Sequence, residues 1–363
     1  MSNGRNATEM RPNEKTLLVA DVGGTKTDCA CVPVGAPEPG TLEVTTFRND
    51  DFADAEGVLD ACFAGPARGC TPRIACIAVA GPVVGGAARL TNRTWTFDAQ
   101  HLAARYAVDR VFLVNDAVAC GWAVASLRDA SSVPLVRGTG APRGTRLVLS
   151  PGTGLGVSIV VRSGPEPIVL PSEGGNAAFA PTALDQTALW QFMQEEIGRV
   201  RVEDLCSGPG IARIHRHLMR SDPTAVAERD REIVALPADR RTTAIVDAAL
   251  AEGGSSLCRR AIDRFIEILA GVATDCALAF WATGGIYVAG RLPTRLRPLL
   301  VDRFEREFSR LARATPLPTD LPVRLVTAAH PVLVGAFRHA VTTLGASGGA
   351  MGTDGLETSS RTD

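Results

Sequence analysis

The stretch "LLVADVGGTKTDCACV", residues 17–32, decides how the rest of the chain is interpreted. Two apolar runs of strand character flank a turn that contains one carboxylate, Asp21, and the adjacent glycines Gly23 and Gly24. Backbone without side chains lets a phosphate approach closely, and successive N–H groups can then point at its oxygens. Thr25 adds a hydroxyl donor. An ordinary hairpin with a Gly-Gly turn explains the same pattern, so this turn leaves both interpretations open.

A second glycine turn has the same order of features. In "LVLSPGTGLGVSIV", residues 147–160, an apolar strand leads into Gly152, Thr153 and Gly154, and another apolar strand follows. No GK[ST] is present, as a Walker loop would need, and no helix follows, as a dinucleotide fingerprint would need. Two strand–turn–strand glycine loops in one chain favour two hairpins that clasp a polyphosphate from opposite lobes. Asp21 would repel a bare phosphate, but it suits Mg²⁺ held between carboxylate, water and phosphate oxygens.

A third motif places polar residues at the end of a buried strand. In "VFLVNDAVACGWAV", residues 111–124, the strand ends at Asn115 and Asp116 and a helix begins directly. Ligands of open α/β sheets bind at the carboxyl ends of the strands. Asp116 is therefore a candidate general base, although Asp is also a frequent helix N-cap and one residue can fill both roles.

Two glutamates stand beside glycine-rich turns. Glu173 precedes Gly-Gly in "LPSEGGNAAFAP", and Glu203 precedes the Ser-Gly-Pro-Gly turn of "GRVRVEDLCSGPGI". Each can be a solvated loop charge. Acids on rigid, glycine-flanked loops are also well suited to accept hydrogen bonds from sugar hydroxyls. The strand and glycine turn of "IYVAGRLP", residues 286–293, could wall an adenine pocket.

Strand-like and helix-like patterns alternate along the chain, which favours an α/β architecture. The length of 363 residues exceeds what one hydrophobic core usually supports and predicts two lobes. The segment 131–145 is interpreted as a linker or a hairpin excursion. The pattern predicts strands at 17–21, 28–33, 74–80, 110–114, 146–150, 155–162, 285–289 and 323–327, and helices at 116–127 and 256–280.

Composition narrows the class of protein. With 38 basic and 39 acidic side chains and no basic block, we expect no nucleic-acid partner. Nine cysteines without a secretory leader indicate free thiols in a reducing compartment, so we expect a cytoplasmic protein. The longest apolar stretch, residues 276–290, is too short to span a bilayer and is interrupted by glycines, so we expect no membrane association.

Taken in order, the motifs resemble those of the bacterial glucokinases, the sugar-kinase branch of the actin-like ATPase superfamily. The resemblance extends from about residue 16 to 345; any one motif is weak, but seven in order are very specific. The motifs are Asp21-Val-Gly-Gly-Thr25, Thr91-Asn-Arg-Thr-Trp95, Asn115-Asp116, Gly152-Thr-Gly-Leu-Gly156, Glu173-Gly-Gly-Asn176, Ser207-Gly-Pro-Gly210 and Ala289-Gly290-Arg291.

This resemblance implies a two-lobed, ribonuclease H-like fold. Each lobe would be a mixed five-stranded sheet flanked by helices, with the active site in the cleft. The implied parts are a disordered N-terminal tail (1–15), a small α/β domain (16–127, completed by about 331–345), a large α/β domain (128–330) and a disordered C-terminal tail (346–363).

The resemblance also implies roles for individual residues. Asp116 would be the catalytic base for the sugar 6-hydroxyl, ATP the phosphoryl donor and glucose the acceptor, and the family suggests a homodimer. Asp21 would hold Mg²⁺ through water. The implied sugar ligands are Asn92, Asn115, Asp116, Glu173, Asn176 and Glu203, and the implied nucleotide ligands are Gly23, Gly24, Thr25, Lys26, Gly152, Thr153, Gly154 and Gly290.

Two departures from the family pattern leave questions open. Asn176 stands where the family has histidine, and Ala178 stands where it usually has an acid. The loss of one good buried hydrogen bond is worth about 1–3 kcal/mol, so the hexose is not settled. Arg291 replaces the second glycine of the last turn, which leaves the donor (ATP, ADP or polyphosphate) undecided.

Three alternatives therefore accompany glucose phosphorylation. One is the same chemistry on another hexose or an aminosugar. Another is a sugar-sensing regulator, but roughly 16 residues before the first strand are too few for a DNA-binding helix-turn-helix. The third is a catalytically dead sugar-binding scaffold, against which the retention of Asp116 speaks.

Overall fold

The computed structural model describes residues 16–36, 42–65, 71–127 and 131–350, the last four of these by their backbone only. The predicted N-terminal tail, residues 1–15, lies outside the described residues, as does the predicted tail from residue 351 onward. The chain forms two compact units. Unit 1 comprises residues 1–123 and 332–363, and unit 2 comprises residues 124–331.

The strands of the described residues follow the predicted apolar runs closely. They are β1 (Thr16–Val22), β2 (Lys26–Pro33), β3 (Thr45–Arg48), β4 (Pro72–Val79), β5 (Val83–Val84), β6 (Ala87–Arg89), β7 (Thr96–Asp98), β8 (Arg110–Asn115), β9 (Ser132–Val136), β10 (Arg146–Pro151), β11 (Leu155–Val161), β12 (Ile168–Ser172), β13 (Gly285–Val288) and β14 (Val323–Val326).

The α-helices of the described residues include both that the sequence predicted. They are α1 (Ala55–Ala64), α2 (Ala99–Arg105), α3 (Asp116–Ala125), α4 (Leu184–Ile197), α5 (Val202–Leu205), α6 (Gly208–Ser221), α7 (Glu228–Ala235), α8 (Ala238–Leu250), α9 (Ser256–Phe280), α10 (Arg291–Arg295), α11 (Arg297–Ala312) and α12 (Pro331–Ala350).

Unit 1 is built on a five-stranded mixed sheet in the order β3-β2-β1-β4-β8. The strands β1, β4 and β8 are parallel, and β2 and β3 are antiparallel additions at one side. The parallel strands read as continuous apolar runs because helices cover both faces of such a sheet. Their carboxyl ends meet at one edge, and this edge carries Asp21 and Asn115.

A close helix contact fixes the position of α3 in unit 1. A Cβ added to Gly335 of α12 would lie 1.6 Å from the carbonyl oxygen of Ala119 in α3. No side chain fits there, so glycine lets the two helix backbones touch. The N-terminus of α3, where Asp116 lies, is therefore held by the packing of α12 as well as by β8.

Unit 2 contains a six-stranded mixed sheet in the order β12-β11-β10-β13-β14-β9. This corrects the predicted five strands. Two of its strands, β9 and β12, are not among the predicted strand ranges; β9 lies in the segment predicted as a linker or hairpin excursion and pairs antiparallel with β14. Pro134 limits β9 to the edge of the sheet, while Leu135 is buried and anchors it.

Two further observations concern the helices. The last helix, α12, continues to Ala350, so residues 346–350 are helical where the sequence predicted a disordered tail. Adding residues to an already formed helix costs little, and the Gly/Ser composition of this stretch hid that continuation. Among the described residues, no helix has both the length and the apolar character that crossing a membrane requires.

Candidate active site

In unit 1, the motifs predicted to act together are joined at the carboxyl edge of the sheet. The backbone N–H of Ala80, just after β4, donates to Val22 O at 3.1 Å, and Ala80 O accepts from Thr91 N–H at 3.1 Å. The side-chain amide of Asn115 donates to Gly81 O at 3.0 Å. The segment after β4 thus connects the first glycine turn, the Thr91–Trp95 loop and the end of β8.

The first glycine turn, residues 23–25, directs its carbonyl groups into unit 1. Asn49 Nδ2 donates to Gly23 O at 2.8 Å, Asn49 N–H to Thr25 O at 3.0 Å, and Arg93 Nε to Gly24 O at 2.5 Å. The N–H groups of Gly24 and Thr25 have no hydrogen-bond partner among the described residues. A turn with engaged carbonyls and available N–H groups is an anion-binding arrangement.

Arg93, for which no role was predicted, supports this turn. Its guanidinium lies 5.1 Å from the Trp95 ring centroid and forms an ion pair with Asp50. The neighbouring Asn92, predicted as a sugar ligand, is exposed beside the turn, since a Cβ on Gly24 would lie 3.8 Å from its Cβ and Nδ2. Asn92 and the first glycine turn are therefore neighbours within unit 1.

Two carboxylates lie on one face of the β1–β2 pair. Asp21 is directly opposite Asp28, so their side chains share a face. Lys26 Nζ lies 2.7 Å from Asp28 Oδ2, and Thr46 Oγ1 donates to Asp28 Oδ1 at 2.7 Å. The predicted nucleotide ligand Lys26 is thus paired with Asp28. Two carboxylates on one face supply oxygen ligands of the type that Mg²⁺ prefers.

The sequence left open whether Asp116 is the N-cap of α3, a general base or both, and the contacts at the end of β8 assign the capping role to its neighbour. Asn115 Oδ1 accepts the N–H groups of Ala117 and Val118 at 3.0 and 3.2 Å, so Asn115 is the N-cap of α3. Asp116 is the first helical residue; its half-buried carboxylate accepts from Ala117 N–H at 2.9 Å through Oδ1. Negatively charged side chains are favoured at this end of a helix. Capping of α3 does not depend on Asp116.

In unit 2, the second glycine turn, residues 152–154, also uses its carbonyl groups internally. Gly152 N–H donates to Gly154 O at 2.9 Å, and Gly208 N–H donates to Gly152 O at 2.8 Å. The N–H groups of Thr153 and Gly154 have no partner among the residues that the structure describes. Because Gly208 belongs to the Ser-Gly-Pro-Gly motif, two motifs recognised separately in the sequence form one piece of structure.

The carboxylate of Glu203 lies against the same turn. A Cβ on Gly154 would lie 2.7 Å from Glu203 Oε2, so glycine is needed for this approach. The side chain of Glu203 is 22% exposed. Ser207 Oγ donates to the carbonyl oxygen of Glu203 at 2.6 Å and holds the loop that carries it.

The predicted sugar ligands of unit 2 form a connected group, which we call the polar chain (Glu173, Asn176, Arg201 and Glu203). Asn176 Nδ2 donates to Glu173 Oε2 at 2.9 Å, and Arg201 Nη1 donates to Asn176 Oδ1 at 2.9 Å. The same Nη1 lies 2.7 Å from Glu203 Oε1. Sequence reasoning identified three of these residues and missed Arg201.

Gly290 lies close to the second glycine turn. A Cβ on Gly290 would be 3.6 Å from the carbonyl oxygen of Pro151, which precedes Gly152. Its φ of 110° lies in the region that favours glycine, and it occupies the N-cap position just before helix α10. The first residue of that helix is Arg291, the departure noted in the sequence.

A buried polar cluster in unit 2 lies apart from all predicted site residues. His215 Nε2, Ser255 Oγ and Cys258 Sγ approach Asp230 Oδ1 at 2.8, 2.5 and 3.4 Å. Burial works to raise the pKa of Asp230, but hydrogen bonds from Ser255 and His215 outweigh it and lower that pKa. Although His, Asp and Cys are metal-ligating types, hydrogen bonds already account for this arrangement.

Comparison with known proteins identifies the family. The glucokinase family model matches residues 18–343. The chain belongs to the glucokinase family. The order of motifs predicted this membership, and with it an enzyme of the sugar-phosphorylating class. A glucokinase of Cupriavidus metallidurans is 31% identical over 326 residues, covering 88% of this chain and 92% of that protein. A glucokinase of a Nostoc species is 30% identical over 332 residues, covering 88% and 97%.

Solved structures agree on the fold. A glucokinase from an Antarctic psychrotroph, 27% identical, superimposes with a TM-score of 0.70 over 90% of this chain and 98% of that one. A ROK family glucokinase from Streptomyces griseus, solved with glucose and AMPPNP, has a TM-score of 0.64 at 20% identity over 88% and 97%. The α/β class with mixed sheets in the actin-like ATPase fold is confirmed.

Proposed function

We propose that the protein transfers the γ-phosphoryl group of ATP to the 6-hydroxyl of glucose, with Asp116 as the general base. Family membership supports sugar phosphorylation. The role of Asp116 is supported by the different contacts of Asn115 and Asp116 at the end of β8. Asn115 caps the helix, and the carboxylate of Asp116 stands at the strand end where ligands of such sheets bind.

In the proposed reaction, Asp116 accepts the proton of the sugar 6-hydroxyl as that oxygen attacks the γ-phosphorus. An oxygen–phosphorus bond to the sugar forms, and the bond between the γ-phosphorus and the bridging oxygen breaks, releasing ADP. A positioned base contributes about 10²–10⁴-fold. The rest of the rate enhancement of phosphoryl transfer comes from alignment and charge compensation.

The two glycine turns would provide that alignment. The available N–H groups of Gly24 and Thr25 in unit 1, and of Thr153 and Gly154 in unit 2, suit phosphate oxygens. Asp21 would hold Mg²⁺ through water, and the metal would neutralise charge on the phosphates. A neighbour of the same fold was solved with AMPPNP, which supports ATP as the donor.

The proposed sugar ligands of unit 2 are Glu173, Asn176 and Glu203, and those of unit 1, considered by itself, are Asn92 and Asn115. Ionised carboxylates accept hydrogen bonds from hydroxyls, and the amides both donate and accept. Structures of neighbours in complex with glucose support a hexose in this role. Because Asn176 replaces histidine, a different hexose or an aminosugar is the second candidate substrate.

The homodimer and the cytoplasmic location stay predictions. Light scattering of the purified protein tests the first, and cell fractionation tests the second. A non-catalytic sugar-binding protein is the remaining alternative, and it predicts sugar binding without turnover.

The deciding experiment is a coupled assay for sugar-dependent ADP release across a panel of hexoses and aminosugars. Asp116→Asn should lower kcat at least about 100-fold while the KM for sugar changes little, because the isosteric amide cannot accept the proton. Asp109→Asn is the matched control. Asp109 precedes the opposite end of β8 and pairs with Arg73 on the surface, so kcat should be unchanged. Near-normal kcat in Asp116→Asn would exclude this base; no ADP release with any sugar would exclude the function.

A further inference from the structure

The polar chain of unit 2 is arranged around Arg201, a residue to which no role has yet been given. Its Nη1 contacts two members at once, Asn176 Oδ1 at 2.9 Å and Glu203 Oε1 at 2.7 Å. Its Nε and Nη2 donate to Asp204 Oδ2 and Oδ1 at 3.1 and 2.9 Å. One guanidinium therefore joins two predicted sugar ligands, Asn176 and Glu203, to the carboxylate of Asp204.

The buried carboxylate of Asp204 anchors this guanidinium. Its side chain is 3% exposed, and it also accepts Arg201 N–H at 2.9 Å. Arg213 approaches the same carboxylate from α6 at 3.4 Å. The planar fork of an arginine held by a carboxylate at two nitrogens has little freedom to rotate. The remaining nitrogen, Nη1, is thus presented to Asn176 and Glu203 in one orientation.

The contacts on either side of Asn176 fix the polarity of its amide. Arginine offers hydrogen-bond donors only, and an ionised glutamate offers acceptors only. The carbonyl oxygen of Asn176 must therefore face Arg201, and its amino group must face Glu173. A rotation of the amide by 180° would bring two donors together at one side and two acceptors at the other. An asparagine in solvent has no such preference.

We propose that Arg201 is a positioning residue for sugar selection. It fixes the amide polarity of Asn176 and the carboxylate of Glu203, so that Asn176 and Arg201 together do the work that the family gives to a histidine. This inference rests on the proposed function, because it assigns selectivity to the same sugar site. It also explains how asparagine can serve at position 176, where its amide would otherwise be free to rotate by 180°.

A double-mutant cycle on Asn176 and Arg201 tests the proposal. Arg201→Met keeps the apolar stem and removes the donors, and Asn176→Ala removes the amide. Each single variant should raise the KM for the preferred hexose about tenfold, the usual size for a hydrogen bond to a charged group. The double variant should raise the KM by clearly less than the roughly hundredfold product of two independent tenfold effects, because Arg201 acts on the sugar partly through Asn176 and partly through Glu203. The KM for ATP should stay unchanged.

Two further variants separate positioning from general support of the loop. Arg201→Lys retains one donor and should recover part of the lost sugar affinity. Arg199→Ala is the matched control, because the exposed Arg199 donates to the backbone oxygen of Asn176, at 3.2 Å, and to no side chain among the described residues. It should leave the KM for sugar unchanged. A rise equal to that of Arg201→Met would overturn the proposal, since loss of any nearby positive charge would then suffice.

Loss of stability in Arg201→Met is separated from loss of selection by measuring sugar affinity on folded protein. Isothermal titration with the preferred hexose, below the unfolding temperature of each variant, gives the affinities for the same cycle. If the wild type phosphorylates a hexose but the cycle is additive, the inference fails and the proposed function stands. If the wild type neither binds nor phosphorylates any sugar of the panel, both fail.

Discussion

The two glycine turns both leave two successive N–H groups available, but different contacts hold the two turns in place. The carbonyl groups of residues 23–25 in the first turn, and those of Gly152 and Gly154 in the second, accept hydrogen bonds, and in each turn two successive N–H groups have no partner among the described residues. Side chains of Asn49 and Arg93 hold two carbonyl groups of the first turn, in addition to backbone hydrogen bonds from Gly23 N–H to Lys26 O and from Asn49 N–H to Thr25 O. Backbone holds the second, through its own Gly154 carbonyl and the N–H of Gly208. The first turn is therefore vulnerable to side-chain truncation, and the second to the addition of a side chain.

The largest effect is expected from Asn49→Ala, which should break the first turn. Asn49 is fully buried; its side chain donates to Gly23 O and accepts from Thr27 Oγ1 at 2.8 Å each. Removing it leaves a buried carbonyl and a buried hydroxyl without partners, at a cost of about 3 kcal/mol in the free energy of unfolding. Denaturant unfolding measures this loss.

Asn92→Ala is the matched control for that measurement. Asn92 is an exposed asparagine beside the same turn, so its free energy of unfolding should change by less than about 0.5 kcal/mol. If the two variants were equally stable, the support of the first turn by Asn49 would be refuted.

The second turn is best probed with a pair of alanine substitutions. A Cβ on Gly152 meets nothing within 4 Å, so Gly152→Ala is sterically tolerated and adds a methyl group to the residue just before the available N–H groups of Thr153 and Gly154. It should raise the KM for ATP roughly fivefold and leave the KM for sugar alone, as expected for losing one good hydrogen bond.

Gly154→Ala differs because its Cβ would lie 2.7 Å from Glu203 Oε2 and would displace that carboxylate. The KM for sugar should then rise about tenfold, together with the KM for ATP. Steady-state kinetics with each substrate varied in turn separates the two variants. Identical profiles would mean that Glu203 and the second turn are not coupled as the structure indicates.

Sequence reasoning located both turns because their signals are local. Continuous apolar runs on either side of adjacent glycines define β1, β2, β10 and β11 to within about two residues of their observed ends. The seven motifs in order then identified the family. Asp116, Glu173 and Glu203 were found because each stands beside a strand end or a glycine turn.

The supports of the turns could not be found in this way, because their partners are distant in the sequence. Asn49 reaches Gly23 only because β3 pairs with β2, and Arg93 reaches Gly24 across 69 residues. Arg201 left one weak signal, an Arg and an Asp three residues apart at the start of a short helix. Strand β9 was missed because a short edge strand containing proline resembles a loop.

The smallest expected effect is a difference in acid sensitivity near the two turns. Close to the second turn, Asp204 is buried. Burial works to raise the pKa of its carboxyl, but hydrogen bonds from the side chain and backbone of Arg201 outweigh this effect and lower that pKa. Close to the first turn, hydrogen bonding to Arg93 lowers the pKa of Asp50, whose side chain is 65% exposed, so solvent screens that pair.

A carboxyl group with a lowered folded-state pKa binds protons more weakly in the folded than in the unfolded protein. Its contribution to stability is complete above its unfolded-state value of about 3.9 and is lost as the pH falls through the folded-state value. The stability difference between the wild type and Asp204→Asn should therefore be constant from pH 7 to about 5 and shrink in stronger acid. Asp50→Asn should give almost no difference at any pH. Urea unfolding midpoints measured between pH 3 and 7 test this, and an equal pH dependence for the two variants would show that burial at the second turn does not distinguish it from the first.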